Sequence, residues 1–408
     1  MRADVVVVGG GPAGSATAWW LARAGLDVLV LDRARFPRPK PCSEYMSPQA
    51  SRLLEEMGVL EEVERAGAAQ LAGMTVRAPS GTIIRGVFAG EHRWRGHRDR
   101  GLALQRTLLD PILLDAARRA GARVVESARV SDLLFDRARR VSGVRATLGG
   151  ESVDVAARFV VGADGLRSVV ARRLGLARTS AFPRRVALVT HYDGVAGMGE
   201  LGEMHVEHDG YLGLARVGGE RTNVAVVIPA ARGGELAAGT DRFLAGWIAA
   251  RPHLAGRFRG ARRATPVLAT GPFASRARRP WAAGAALVGD AADFYDPFTG
   301  EGIYAALRGG ELLAPYVVAA LGAGSPLGER TALEAYARAR RHEFGGKWMV
   351  ERIIGAAVAF PALLERAAAV LSRDRSMADL LVGVTGDFVP PREVLRPSYL
   401  ARLLLRPA

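Results

Sequence analysis

Four consecutive valines, Val5–Val8, run directly into Gly9-Gly10-Gly11-Pro12-Ala13-Gly14. A helical stretch follows, and a second apolar run, Val28–Leu31, ends at Asp32. An apolar strand, a Gly-x-Gly-x-x-Gly turn, a helix, a strand and a terminal acid make one dinucleotide-binding βαβ unit. Gly9 lets the chain leave the strand in a tight turn. Gly11 has no side chain to hold a pyrophosphate away from the backbone, and Gly14 lets the helix pack on the strand. The free N–H groups at the helix N-terminus face the phosphates. Asp32 stands 18 residues after Gly14, where it can accept hydrogen bonds from ribose hydroxyls. An acid there disfavours a 2′-phosphate, so FAD or NAD fits this turn better than NADP.

The chain of 408 residues accommodates two domains, or one domain with a large insertion. Its 49% hydrophobic content supports a sizeable core. The single cysteine, Cys42, excludes an intrachain disulfide and suits a reducing cytosol. No basic segment followed by an apolar one opens the chain, so no signal peptide is expected. Cytoplasmic localisation follows, with peripheral membrane contact as an open alternative. The net charge of +15 comes almost entirely from arginine, with lysine only at Lys40 and Lys347. The arginines are scattered, with no basic stripe interleaved with aromatics, so no nucleic-acid partner is expected. Two readings of the charge remain open: a GC-rich genome that encodes arginine heavily, or attraction to an anionic partner such as a phospholipid surface, a CoA ester or an acidic carrier protein.

Along the chain, Phe36-Pro37-Arg38-Pro39-Lys40-Pro41-Cys42 cannot be helical. Pro48–Met57 and Arg106–Ala120 read as helices, and Phe159–Val161 as a buried strand. Val186–Tyr192, Gly202–Glu207, Tyr211–Val217 and Asn223–Ile228 read as antiparallel strands. Ala285–Val288 returns to a buried strand, and the chain is mostly helical from Gly300 onward. The apolar stretch Ile353–Leu364 is either a core helix or a lid touching membrane or a lipid-like substrate. It is too short to span a bilayer.

Three further motifs carry chemistry. Arg106 opens a helix and can offer a pyrophosphate a planar fork. Gly162-Ala163-Asp164-Gly165 follows a buried strand, and its Asp164 sits near the nucleotide or braces the first Gly-rich loop. Gly289-Asp290 ends another buried strand, where Asp290 can accept from a ribityl hydroxyl. The run Asp296-Pro297-Phe298-Thr299-Gly300-Glu301-Gly302-Ile303 opens onto a helix whose positive end can stabilise negative charge on a reduced flavin. Cys42 either shapes the substrate cavity beside the flavin or packs as a small apolar residue. His191, Tyr192, His205 and His208 lie on the β block. No metal-ligand spacing occurs, and no side chain stands out as the catalytic acid or base.

In this order, the N-terminal fingerprint, Gly162–Ser168 and Gly289–Ile303 resemble FAD-dependent oxidoreductases of the geranylgeranyl reductase and aromatic-hydroxylase (group A monooxygenase) superfamily. The resemblance covers nearly the whole chain. It implies an α/β fold: a Rossmann-like FAD-binding domain with an inserted antiparallel β-sheet substrate domain and a helical C-terminal region. The expected division is 1–75, 101–180 and 275–325 for FAD, 76–100 and 181–274 for substrate, and 326–408 for the helices. It implies FAD contacts at Gly9, Gly11, Pro12, Ala13, Gly14, Asp32, Arg33, Cys42, Arg106, Val130, Asp164, Gly289, Asp290, Pro297, Gly300, Gly302 and Ile303, with NAD(P)H as reductant.

Phe36–Cys42 is similar to a Pro-Arg-x-Lys-x-Cys run of the reductase branch, but Ser43-Glu44-Tyr45 stands where that branch has glycines. Tyr211-Leu212-Gly213-Leu214-Ala215-Arg216 replaces its aromatic-x-Trp-x-Phe-Pro strand. These departures make hydroxylation of a bulky, apolar, aromatic or polyketide-like substrate the leading expectation, with that substrate free, carrier-linked or CoA-linked. Saturation of an olefin in a prenyl or quinone lipid is the alternative. The halogenase signature Trp-x-Trp-x-Ile-Pro has no counterpart before Ile228-Pro229, so halogenation ranks lower, as does a non-catalytic flavin protein. Oligomeric state stays open.

Overall fold

The computed structural model describes residues 1–179 and 184–405. The expected join at 180/181 lies outside the described residues.

Val5 and Val7 enter one hydrophobic core and Val6 and Val8 another. A strand buried on both faces therefore needs an unbroken apolar run rather than alternation. Arg2–Val8 pairs in parallel with Val28–Leu31 on one side and with Glu151–Gly162 on the other. Val28–Leu31 pairs onward with Arg123–Val125, and Glu151–Gly162 with Ala285–Leu287, both in parallel. One sheet thus gathers the starts of all three glycine-containing turns at the same ends of adjacent strands. The helices Pro12–Arg23 and Gly302–Gly322 contribute to the same core on one face of this sheet.

The second sheet is built on Arg185–Asp193, Arg221–Pro229, Gly210–Arg216 and Leu201–Glu207 in that spatial order. The four predicted strands are present, three with slightly wider bounds and Tyr211–Val217 shifted by one residue to Gly210–Arg216. The expectation of a purely antiparallel sheet needs correction: Gly73–Arg77 pairs in parallel with Leu201–Glu207. Parallel neighbours need a long crossover, and more than a hundred residues separate these two strands in the chain. Gly73–Arg77 also straddles the expected boundary at 75/76. Side chains alternate across the sheet. Leu188, Val226 and Ile228 pack with Leu244, Trp247 and Ile248 of the helix Thr240–Ala249. Ala187, Val189, Val227, Met204 and Tyr211 face the opposite way, toward Phe298 and the C-terminal helices.

Those helices begin with Pro326–Ala359. Pro361 starts a new helix, Pro361–Leu371, at a bend of 110°, because proline fits a first helical turn and not a continuing one. The stretch Ile353–Leu364 is therefore no single core helix: Val358 and Leu364 are buried, whereas Ile353, Phe360 and Leu363 are exposed. Among the described residues no single helix is long and apolar enough to cross a membrane.

Candidate functional site

The Gly-rich turn is shaped by close packing. Gly9 has a φ of 102°, and a Cβ there would lie 2.5 Å from the Ala163 carbonyl oxygen. A Cβ on Gly14 would lie 1.7 Å from the Gly9 carbonyl oxygen. The helix Pro12–Arg23 has neither a side-chain N-cap nor an acid in its first turn, so its first N–H groups are unclaimed by side chains. Asp32 is buried and accepts from Gly10 N–H at 2.7 Å and Ala34 N–H at 2.8 Å. Its carboxylate thus braces the turn, with lone pairs left for ribose hydroxyls. Pro12, Ala13 and the otherwise exposed Arg33 line the same cavity.

Two guanidiniums stand over Gly11: a Cβ there would lie 3.5 Å from Arg38 Nη2 and 3.7 Å from Arg106 Nη2. The Arg106 fork is already engaged. It donates to both oxygens of Asp110 at 2.6 and 2.9 Å, and neither residue is appreciably exposed. Arg38 Nη1 lies 3.2 Å from Asp110 Oδ2 but is buried without hydrogen-bond geometry. The contact is electrostatic only, which leaves Arg38 the less committed cation.

The second turn is locked from below. Asp164 Oδ2 accepts from Val169 N–H at 2.6 Å, whereas Oδ1 is buried with no partner. Burial pushes the Asp164 carboxyl above its usual range, against the pull of Ser168 and the Val169 N–H. Asp164 and Val130, on the strand Arg129–Phe135, both line the cavity.

On the far side, Gly289, Asp290, Pro297, Gly300, Gly302 and Ile303 line the same cavity. Asp296 is buried and holds this loop together: it accepts from Phe298 N–H at 3.1 Å and Tyr211 O–H at 2.8 Å, and pairs with Arg185. The loop ends at the 21-residue helix Gly302–Gly322, which has no side-chain N-cap. Desolvation raises the Asp290 carboxyl, and the charges of Lys40 and Arg106 oppose the rise. Burial likewise lowers the Lys40 ammonium, with Asp290 pulling the other way.

The Pro-rich connection closes the cavity between the two sheets. Cys42 is half-buried, and its sulfur accepts from Glu44 N–H at 3.3 Å. Glu44 is almost fully buried and has a φ of 64°. Its Oε1 accepts from Arg106 N–H at 2.9 Å, and its Oε2 meets His191 Nε2 at 2.7 Å and Asn223 Nδ2 at 3.0 Å. Asn223 Nδ2 also donates to the Cys42 carbonyl at 2.8 Å. His191 therefore links the second sheet to this loop. His205 pairs with Glu203 at 2.8 Å and His208 is exposed.

Sequence reasoning missed a cluster on the long C-terminal helix. Arg340, Phe344, Lys347, Trp348 and Glu351 line the cavity beside Glu301 and Tyr304. Their three-to-four-residue spacing, readable in the sequence, marks one helical face. A stripe of charged residues reads as a solvated surface until another element covers it.

The protein's own atoms fit a flavin dinucleotide. The cavity encloses about 970 Å³ and runs from the Gly-rich turn to the second sheet. Asp164 Oδ1, Tyr45 Oη and Thr299 Oγ1 are buried in its lining without partners, and such groups ordinarily find one.

The FAD binding domain family matches residues 2–342. Digeranylgeranylglycerophospholipid reductase 1 of Methanopyrus kandleri is 33% identical over 337 residues, which cover 79% of this chain and 82% of that protein. Menaquinone reductase of Mycobacterium tuberculosis is 39% identical over 180 residues, 42% of this chain. The match spans only 40% of that enzyme's length. A solved structure of the myxobacterial chondrochloren halogenase superposes with a TM-score of 0.78 at 27% identity, covering 86% of this chain and 82% of the other.

Proposed function

Because the chain belongs to the FAD-dependent oxidoreductases of the geranylgeranyl reductase and aromatic-hydroxylase superfamily, we propose that it saturates a carbon–carbon double bond of a prenyl- or quinone-lipid-like substrate, with NADH or NADPH as reductant. The observation that carries this reading is the position of the Arg38–Cys42 run. It lines the cavity, with Asp290 acting on Lys40, and the Cys42 carbonyl is tied to the sheet through Asn223. Across from it the sheet offers an apolar face of Ala187, Val189, Met204, Ala225 and Val227. Such a wall suits a long hydrocarbon and offers few polar groups to a hydroxylated ring. The extended match to a phospholipid reductase and the partial match to a menaquinone reductase support the same class.

When bound, FAD supplies the two-electron redox chemistry. The residues of the chain bind and orient it. The N-terminus of Pro12–Arg23 and Arg38 take the pyrophosphate, Asp32 the ribose, and Asp290 the ribityl chain. The loop Pro297–Ile303 holds the isoalloxazine end, where the N-terminus of Gly302–Gly322 favours negative charge. The Pro-rich connection and the second sheet keep water from the reacting carbons.

Hydroxylation of a bulky apolar ring is the second reading. Glu44 and the tryptophan-free strand Gly210–Arg216 favour it, since both differ from the reductase branch. Oxygen dependence separates the two. Pre-reduced, FAD-loaded protein is mixed anaerobically with a short-chain prenylated naphthoquinone, and the product is weighed by mass spectrometry. The proposal expects a gain of two hydrogens without oxygen that persists after air has returned any quinol ring to the quinone. No anaerobic product, with one labelled oxygen incorporated under ¹⁸O₂, would establish the hydroxylase instead.

A further inference from the structure

Glu301 is buried at the start of the helix Gly302–Gly322 and lines the cavity with Glu351 of the long C-terminal helix, where each carboxyl feels the other. Among the described residues Lys347 is the cation whose charge acts on both carboxyls, and the nearby arginines have other carboxylate partners. Lys347 contacts Asp387 and stands 4.1 Å from the Tyr304 ring centre. Arg340 pairs with Asp293, Arg185 with Asp296, and Arg308 with Glu343. Two carboxyls crowded beside one lysine in this cavity favour the state in which one of them keeps its proton. The pair lines the cavity, and two buried hydroxyls without partners, Tyr45 Oη and Thr299 Oγ1, line it alongside.

We propose that Glu301 and Glu351 form a proton store beside the isoalloxazine site, which takes up a second proton when the flavin is reduced and releases it when the flavin is reoxidised. The inference rests on the placement of the isoalloxazine end at Pro297–Ile303, and it holds for either oxidoreductase reading. The balance is simple. A nicotinamide hydride brings two electrons and one proton to the flavin and leaves it with one negative charge. The pair then goes from one bound proton to two, the extra proton coming from water, so the local charge returns to its starting value. Reoxidation by substrate reverses the uptake and makes that proton available in the cavity. The environment agrees. Burial lifts Glu301 to about 7 against the pull of Lys347. Burial, then the charges of Glu301, Asp293 and Asp296, lift Glu351 well above the carboxylate range, with Lys347 opposing. The Lys347 ammonium is itself lowered by burial, against Glu301, Glu343 and Glu351.

The test needs no substrate. Midpoint potentials of the FAD-loaded wild type and of the Glu301→Gln/Glu351→Gln double variant are measured by spectroelectrochemistry at several pH values around neutrality. One proton taken up with two electrons changes the equilibrium tenfold per pH unit, or ~30 mV. The wild-type potential is expected to fall more steeply with pH than the double variant's, by about that amount. Equal slopes with FAD retained in both would overturn the proposal. A second readout uses the wild type alone and so survives a variant that does not fold. Photoreduction in weak buffer with a pH-indicator dye is expected to take up more protons per flavin than free FAD does; equal uptake overturns the proposal. Absence of flavin from the purified protein would mark failure of the cofactor reading, and the product mass reports separately on double-bond reduction.

Discussion

His191 Nε2 lies 2.7 Å from Glu44 Oε2, and this contact ties the second sheet to the loop that follows the Gly-rich βαβ unit. The same carboxylate takes the Arg106 N–H and the Asn223 amide. One buried acid, in a backbone conformation ordinarily left to glycine, thus joins three elements around the cavity.

Replacing Glu44 tests the joint. Glu44→Ala keeps the unfavourable φ and leaves the Arg106 N–H, the Asn223 amide and the His191 ring short of a partner. A loss of about 3–4 kcal/mol in unfolding free energy is expected. Glu44→Gly loses the same bonds but relaxes the backbone, recovering roughly 1 kcal/mol. Thermal denaturation should rank wild type above Glu44→Gly and Glu44→Gly above Glu44→Ala. The reverse order of the two variants would refute the strain argument.

The second and third glycines of the Gly-x-Gly-x-x-Gly turn should respond differently to a methyl group. At Gly11 a Cβ meets nothing closer than 3.5 Å, so Gly11→Ala should fold with little change in Tm. FAD affinity should fall at least tenfold, ~1.4 kcal/mol, because the methyl group stands where the pyrophosphate approaches. At Gly14 a Cβ collides with the Gly9 carbonyl, and Gly14→Ala should cost about 3 kcal/mol or more. Calorimetry and flavin titration of the two apo-proteins would separate a binding defect from a folding defect.

Arg106 and Asp110 form a buried ion pair, and removing one partner strands the other. Arg106→Leu should cost about 3 kcal/mol, and Arg106→Leu/Asp110→Leu should recover much of that loss. Arg38→Ala removes the less committed cation near Gly11. It should leave Tm nearly unchanged while weakening FAD binding. A flavin content equal to wild type in Arg38→Ala would remove that residue from the pyrophosphate site.

The raised Glu301 carboxyl makes stability pH-dependent in a defined direction. Its folded value of about 7 lies above the ordinary 4.5, so the folded state binds the proton more tightly than the unfolded chain. The contribution is fully present below about pH 4.5 and is lost as pH rises through 7, on the order of 3 kcal/mol. Glu301→Gln should therefore lose less Tm between about pH 5 and pH 8 than the wild type does. A parallel decline in both proteins would show that other groups set the slope.

Much of the architecture was legible because it is local. Val5–Val8 with Gly9–Gly14, the strand ending at Gly162 and the loop Pro297–Ile303 carry their conformations in neighbouring residues, through buried runs, glycine turns and helix starts. The mostly helical reading from Gly300 onward included Pro326–Ala359, but neither its end at Ala359 nor what that helix covers. The parallel pairing of Gly73–Arg77 with Leu201–Glu207 joins strands more than a hundred residues apart. The bond between Glu44 and His191 spans 147 positions. The meeting of Glu301 with Glu351, and the engagement of Arg106 by Asp110 in place of a free fork, were likewise decided in three dimensions. The sequence by itself determined a nucleotide-binding turn and the order of the elements around it, since these depend on backbone geometry and the period of apolar residues. Only the tertiary structure decided which charged groups lose their water and face one another, because burial and partner choice arise when distant elements pack.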